Sequence, residues 1–179
     1  MRTAIRWLPI AAALTIVGTA VAVATAAPAS HASAAVIDAT GASVGSIKLV
    51  EDATGRVHVN VQVAGLTPGR HGIHIHAVGS CSPDFLAAGP HYNPFGRQHG
   101  LDSAAGPHAG DLPNLIVNTA GIGRLEASTD RVTLTGGPAT LFDANGSAFI
   151  IHANEDDQVT DATNGGSGAR IACAVVVAD

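Results

Sequence analysis

Nine histidines in 179 residues are the feature of this chain most able to do chemistry. In Gly72-Ile73-His74-Ile75-His76 two imidazoles are separated by one residue. A strand projects both from one face and turns Ile73 and Ile75 to the other. His71 goes with the isoleucines by the same parity, which removes it from the candidate ligands. His152 ends the run Phe149-Ile150-Ile151-His152 and offers a third strand-borne imidazole. A longer segment supplies His91, then His99, then His108 and Asp111. Three imidazoles and one carboxylate form a closed tetrahedral set suited to Zn²⁺. A set of neutral imidazoles alone suits copper, which leads the divalent metals in nitrogen sites. Singly these motifs are weak; together, their order and spacing describe two adjoining metal sites.

The elements that must hold these residues read as strands. Val57, Val59, Val61 and Val63 alternate with Arg56, His58, Asn60 and Gln62, the period-two pattern of a half-buried strand. Similar short segments are predicted over 44–50, 71–78, 115–118, 123–127, 147–153 and 170–177. Thr67-Pro68-Gly69 and Asp143-Ala144-Asn145-Gly146 supply turns. No segment carries sustained helical periodicity. The expected fold is therefore all-β: a Greek-key sandwich or flattened barrel of about eight antiparallel strands. Two stretches, 79–113 and 154–169, do not read as strands, and loops this long in a compact domain are usually functional.

Composition narrows the partners. Nine Lys and Arg against fourteen Asp and Glu give a net charge of −5, and loss of Arg2 and Arg6 with a leader would take this to −7. Nucleic acid is a poor partner for such a chain. Arg2 and Arg6, an uncharged stretch from Trp7 to Ser30, and the small-x-small site Ala32-Ser33-Ala34 read as a secretory signal over 1–34. That leaves one domain over 35–179, with secretion or a periplasmic or cell-envelope location and no stable membrane insertion expected. No cysteine precedes the expected cleavage site, so a lipid anchor has no attachment point. Cys81 and Cys173, the only cysteines, suggest one intramolecular disulfide in an oxidising compartment.

The mature chain resembles the Cu,Zn superoxide dismutase family over nearly its whole length. The resemblance is carried by Gly65-Leu66-Thr67-Pro68-Gly69-Arg70-His71-Gly72-Ile73-His74-Ile75-His76, by Ala88-Gly89-Pro90-His91-Tyr92-Asn93-Pro94, and by Gly168-Ala169-Arg170-Ile171-Ala172-Cys173. It implies copper bound by His74, His76, His91 and His152, and zinc bound by His91, His99, His108 and Asp111, with His91 bridging. It further implies that Asp156 links a copper histidine to a zinc histidine, with Asp157 its neighbouring competitor. Cys81 and Cys173 match the family disulfide. Arg170 resembles the arginine that orients the anion beside copper, and His91 the histidine that carries a proton. The implied reaction is dismutation of superoxide to O₂ and hydrogen peroxide. A homodimer is admitted, since an apolar dimer patch and the outer face of a strand carry the same pattern.

One departure from many relatives stands out. The stretch 154–169 holds Glu155, Asp156, Asp157 and Asp161 but no lysine or arginine. It therefore offers little positive field to draw in an anion, with Arg97 the nearest candidate to offset this, and slower, less salt-sensitive turnover is expected. The competing expectation is a copper-binding or copper-buffering protein on the same scaffold with little turnover. A binuclear hydrolase fits less well, because such sites generally bridge their metals through carboxylate or water rather than imidazole.

Overall fold

A computed structural model describes residues 30–179. Ten antiparallel strands follow one another as β1 (His31–Asp38), β2 (Ser43–Glu51), β3 (Val57–Ala64), β4 (Gly69–His71), β5 (Ile73–His76), β6 (Leu115–Val117), β7 (Ile122–Thr129), β8 (Ala148–His152), β9 (Arg170–Val175) and β10 (Val177–Ala178). In space the order is β4-β6-β7-β3-β2-β1-β9-β8-β5, with β10 beside β1. The path is a Greek key, because β7 and β6 lie between the consecutive strands β3 and β4. Its two ends are neighbours in the chain, joined only through Gly72, so the sheet is a nearly closed barrel.

The alternation seen in the sequence becomes the barrel wall. Val57, Val59, Val61 and Val63 point inward and are buried, while the residues between them stay partly or fully exposed. They share one buried cluster with Ile47, Leu49, Leu115, Leu125 and Phe149. The segment between β7 and β8, 130–147, adds Val132, Leu134 and Leu141 as a buried plug. The Glu51 carboxylate holds it there by accepting from the backbone N–H of Leu134 at 2.6 Å and of Thr135 at 2.8 Å.

Two differences from the sequence reading matter. The single strand expected over 71–78 is two strands: β4 pairs with β6, whereas β5 pairs with β8. The corner at Gly72 lets one chain segment serve both ends of the sheet, which an alternating pattern does not reveal. The second difference is β1, which begins at His31. Ala32 and Ala34 are buried, and the strand pairs in register with β2 from His31↔Val50 onward. The leader expected over 1–34 lies outside the described residues up to 29, and its expected end falls inside this strand. Alanine and serine satisfy a processing site and a small-residue strand equally well, which is why the pattern reads either way.

The Cys81–Cys173 disulfide ties the long connection after β5 to β9 across 92 residues, with 5.9 Å between the Cα atoms. A loop of that length corresponds to about 4 to 5 kcal/mol of stabilisation on the chain-entropy account. Just beyond Cys81, a short 3-10 turn, Phe85–Ala88, leads to Gly89.

A chain beginning at Ala35 loses four ladder positions of β1 and the two buried alanines. We expect it to be less stable than a chain beginning at Ser30 by about 3 kcal/mol or more, at about 1 kcal/mol per lost hydrogen bond. Urea denaturation of the two proteins checks this.

Candidate metal centre

The long connection between β5 and β6 folds back along the free edge of β5. Tyr92 N–H donates to the Ile75 carbonyl at 2.8 Å, and Ile75 N–H donates to the Gly110 carbonyl at 2.9 Å. These bonds set Asp111 opposite His74 and His91 opposite His76. Gly110 permits the approach, since a Cβ there would overlap the Ile75 carbonyl oxygen. On the other edge of β5, β8 continues the ladder until His152 N–H donates to the Gly72 carbonyl at 2.8 Å. His74, His76, His91 and His152 thus meet at the closure of the barrel.

Their ring nitrogens are sorted by what each ring bonds on its far side. His76 Nδ1 donates to the Gly89 carbonyl at 2.9 Å and His152 Nδ1 to the Gly168 carbonyl at 3.1 Å. A carbonyl oxygen only accepts, so the lone pair of each ring sits on Nε2. His74 Nε2 lies 2.6 Å from Asp156 Oδ2, leaving the lone pair of that ring on Nδ1. Those three nitrogens, with His91 Nε2, are buried and have no hydrogen-bond partner among the described residues. The four rings offer atoms within 4.8 Å of one another. That is the scale of a shell around one ion, whose metal–nitrogen bonds run to about 2 Å. Four buried lone pairs facing each other fit a metal and little else, because each unsatisfied buried group costs about 1 to 3 kcal/mol.

A second set adjoins the first through His91. Asp111 Oδ1 lies 3.0 Å from His99 Nδ1, 3.4 Å from His91 Nδ1 and 3.5 Å from His108 Nδ1, and the last two nitrogens are 3.4 Å apart. A tetrahedron with bonds of about 2.0 Å has edges of about 3.3 Å, so these spacings suit Zn²⁺. His74 also offers an atom close to His91, His99 and Asp111. Its Nε2 contacts Asp156, however, and its Nδ1 faces the first set, while His108 lies beside Asp111 and His91. Asp111 Oδ2 is fixed by the backbone N–H of Gly100 at 2.8 Å and of His108 at 2.9 Å.

Asp156 is buried and joins the two sets, with Oδ2 on His74 and Oδ1 3.1 Å from His99 Nε2. Asp157 is exposed and accepts from the backbone N–H of Val159 and Thr160. Three features that hold Asp156 escaped the sequence reading. The Asn114 amide donates to the Asp156 carbonyl at 2.8 Å and accepts its N–H at 2.9 Å. Gln158 N–H donates to Asp156 Oδ1 at 2.7 Å. Gly165, at φ +68°, packs so closely that a Cβ would overlap that oxygen. An asparagine three residues beyond Asp111 is the one signal that was present.

Arg170 is half-buried, and its guanidinium donates to the Phe85 carbonyl at 2.6 Å and the Gly89 carbonyl at 2.7 Å. The Gly89 oxygen therefore anchors both the arginine and the tautomer of His76. His71 is buried away from the sets, with Nδ1 2.8 Å from the His152 carbonyl and Nε2 2.9 Å from the Thr67 carbonyl. Its exclusion from the candidate ligands agrees with that placement.

The electrostatics keep the first set neutral. Burial holds His74 down to about 3, His76 to about 2 and His152 to about 4, and it lowers His91 as well. For His99, burial acts in the same direction, but hydrogen bonds to Asp111 and Asp156 outweigh it and push the imidazole up to about 9. Burial acts to raise both carboxylates, yet their histidine and backbone partners hold Asp111 and Asp156 well below the usual range.

Comparison with known proteins agrees with this geometry. Residues 43–176 match the family model described as copper/zinc superoxide dismutase. Superoxide dismutase [Cu-Zn] 2 of Mesembryanthemum crystallinum is 35% identical over 147 residues, covering 79% of this chain and 92% of the relative. Superoxide dismutase [Cu-Zn] 2 of Aquifex aeolicus is 38% identical over 148 residues, covering 81% and 85%. Among solved structures, a SOD-like protein from Bacillus subtilis superposes with a TM-score of 0.76 at 36% identity, covering 81% of this chain and 97% of that one. Buried inward-facing lone pairs, an imidazole shared by the two sets and this breadth of similarity lead to one conclusion: the chain belongs to the copper/zinc superoxide dismutase family, as a superoxide dismutase with copper and zinc as its cofactors.

Proposed function

We propose that the chain dismutes superoxide to O₂ and hydrogen peroxide at one histidine-bridged centre, with copper held by His74, His76, His91 and His152 and zinc by His91, His99, His108 and Asp111. The observation that carries this is the set of four buried, partnerless ring nitrogens facing one point. When bound, copper supplies one-electron redox chemistry in both directions, whereas zinc is redox-inert and tunes the bridge.

The remaining work falls to the protein. Arg170, steadied by two carbonyls, orients the superoxide anion beside the first set through a charge-assisted hydrogen bond. His91 presents Nδ1 to the zinc residues and Nε2 to the copper residues, so Nε2 can take up a proton and hand it to the second superoxide while Nδ1 stays anchored. Asp156 keeps His74 and His99 in the tautomers that aim Nδ1 inward.

The acidic stretch 154–169 is less repulsive than its composition suggests. Glu155 pairs with Arg70, Asp156 is buried between imidazoles, and Asp157 caps backbone N–H groups. The stretch itself holds no lysine or arginine, so long-range attraction of the anion stays weak. The domain acts outside the cytoplasm after export, with processing upstream of Ser30 so that β1 remains whole. In support, the structure carries a disulfide, which persists in oxidising compartments.

Purified protein with about one copper and one zinc per chain is expected to remove superoxide, with the activity abolished in His152→Ala. Arg170→Gln should keep both metals and lose about tenfold or more in rate, on the scale of electrostatic capture. Stoichiometric metal with negligible turnover in the unaltered protein would favour the copper-buffering reading instead. Raising the salt from about 20 to about 200 mM should change the rate less than about twofold, since the exposed field available for screening is small; a steep fall contradicts this.

The raised His99 value sets a pH dependence. Zinc needs neutral His99, so binding releases a proton below about pH 9, and zinc affinity should climb as pH rises from about 6 to about 9. In the metal-free protein the lowered histidines give stability the same direction of pH dependence, at lower pH. Below the ordinary value near 6.5 the unfolded chain binds protons that folded His74, His76 and His152 refuse. Stability should therefore fall as pH drops from about 6.5 towards about 4. Chelator competition and metal-free denaturation across this range read the two effects.

A further inference from the structure

We propose that Asp161 is a positioning residue for the zinc half of the centre, fixing the backbone at His99 and the far side of the His108 ring with one carboxylate oxygen. The inference rests on the zinc assignment above. His74 and His99 bond Asp156 on their far sides, His76 bonds the Gly89 carbonyl, His152 bonds the Gly168 carbonyl, and each contact is 3.1 Å or less. His91 turns a nitrogen to each set. His108 alone has no such acceptor in direct contact, and the group facing its Nε2 is Asp161 Oδ1, 3.9 Å away. That is too long for a direct hydrogen bond and is the span that one bridging water closes.

The same oxygen accepts the backbone N–H of His99 at 2.6 Å. One atom of the second long loop therefore bonds His99 and faces the ring of His108, nine positions further along the first loop. Asp161 opens the 3-10 turn Asp161–Gly166, whose Gly165 abuts Asp156 and His99. Gly165 N–H donates to the Thr160 carbonyl at 2.8 Å, and Asp157 N–H donates to the Gly165 carbonyl at 2.9 Å. The turn is thus held in shape from both ends, with Asp161 on the His99–His108 side and Gly165 against Asp156. An acid that composition alone assigns to repelling the substrate is occupied in holding the zinc residues.

The test compares Asp161→Ala and Asp161→Asn in the full metal-loaded protein. Asparagine keeps an oxygen for the His99 N–H and for a bridging water but removes the charge; alanine removes both. Zinc affinity by chelator competition should fall about 10 to 100-fold in Asp161→Ala, the usual cost of losing a group that orients a ligand. Asp161→Asn should recover a large part of it. The visible absorption of Co²⁺ placed in the zinc site should change in Asp161→Ala, while the copper EPR spectrum stays unaltered. Wild-type zinc affinity and cobalt spectrum in Asp161→Ala would overturn the proposal. So would equal weakening of both metal sites with a collapsed metal-free melting transition, which would mean general loop damage. An unaltered protein that takes up no zinc overturns the zinc assignment together with this inference.

Discussion

Everything at this centre depends on where an imidazole keeps its lone pair. A neutral ring has one donor nitrogen and one acceptor nitrogen, and its far-side partner decides which is which. Here that partner is a carbonyl for His76 and His152 and a carboxylate for His74 and His99. Asp156 matters most because it fixes one ring of each set. Its own position is over-determined by the Asn114 amide, Gln158 N–H and the close approach of Gly165. The inward lone pairs of His74, His76 and His152 are buried, like His91 Nε2, without partners among the described residues and are costly in the metal-free chain. The protein therefore stores destabilisation at the site, which metal binding relieves, and the barrel must be firm enough to hold it.

The barrel meets that need at its seam. The two ends of the sheet are the chain segments on either side of Gly72, so the strand that carries His74 and His76 also closes the wall. Its free edge is covered by the loop that brings His91 and Asp111, and its paired edge runs to His152. A hydrogen-bonded ladder thus sets the spacing between residues far apart in sequence. The disulfide and the Phe85–Ala88 turn extend the same logic to Arg170, whose two acceptors, Phe85 and Gly89, lie just beyond Cys81. Gly89 serves both the arginine and His76, which couples the proposed anion-orienting residue to the shape of the histidine cluster.

Much of this was legible from residue types. Period-two valines announced β3, and His74-x-His76 placed two rings on one face before any coordinates. The structure brings His74, His76, His91 and His152 together and sets His99, His108 and Asp111 beside His91. What was hidden depends on backbone shape. The corner at Gly72 splits an alternating stretch into two strands with different partners, and β1 hides in an alanine-serine run that also suits a processing site. The carbonyls of Gly89 and Gly168 are invisible to residue identity, because every residue has one. Asn114 and Gly165 act through close contacts with Asp156, and Asp161 looked like surface charge because its partners are a backbone N–H and a ring nine residues apart.

The most direct test of pre-set lone pairs is the tautomeric state of His74, His76 and His152 in the metal-free protein, read by long-range ¹H–¹⁵N NMR of the imidazoles near pH 7.5. The hydrogen-bond geometry predicts three neutral rings, His76 and His152 protonated at Nδ1 and His74 at Nε2. Rings that average between tautomers, or that carry their protons on the inward-facing nitrogens, would contradict a site built before its metals arrive.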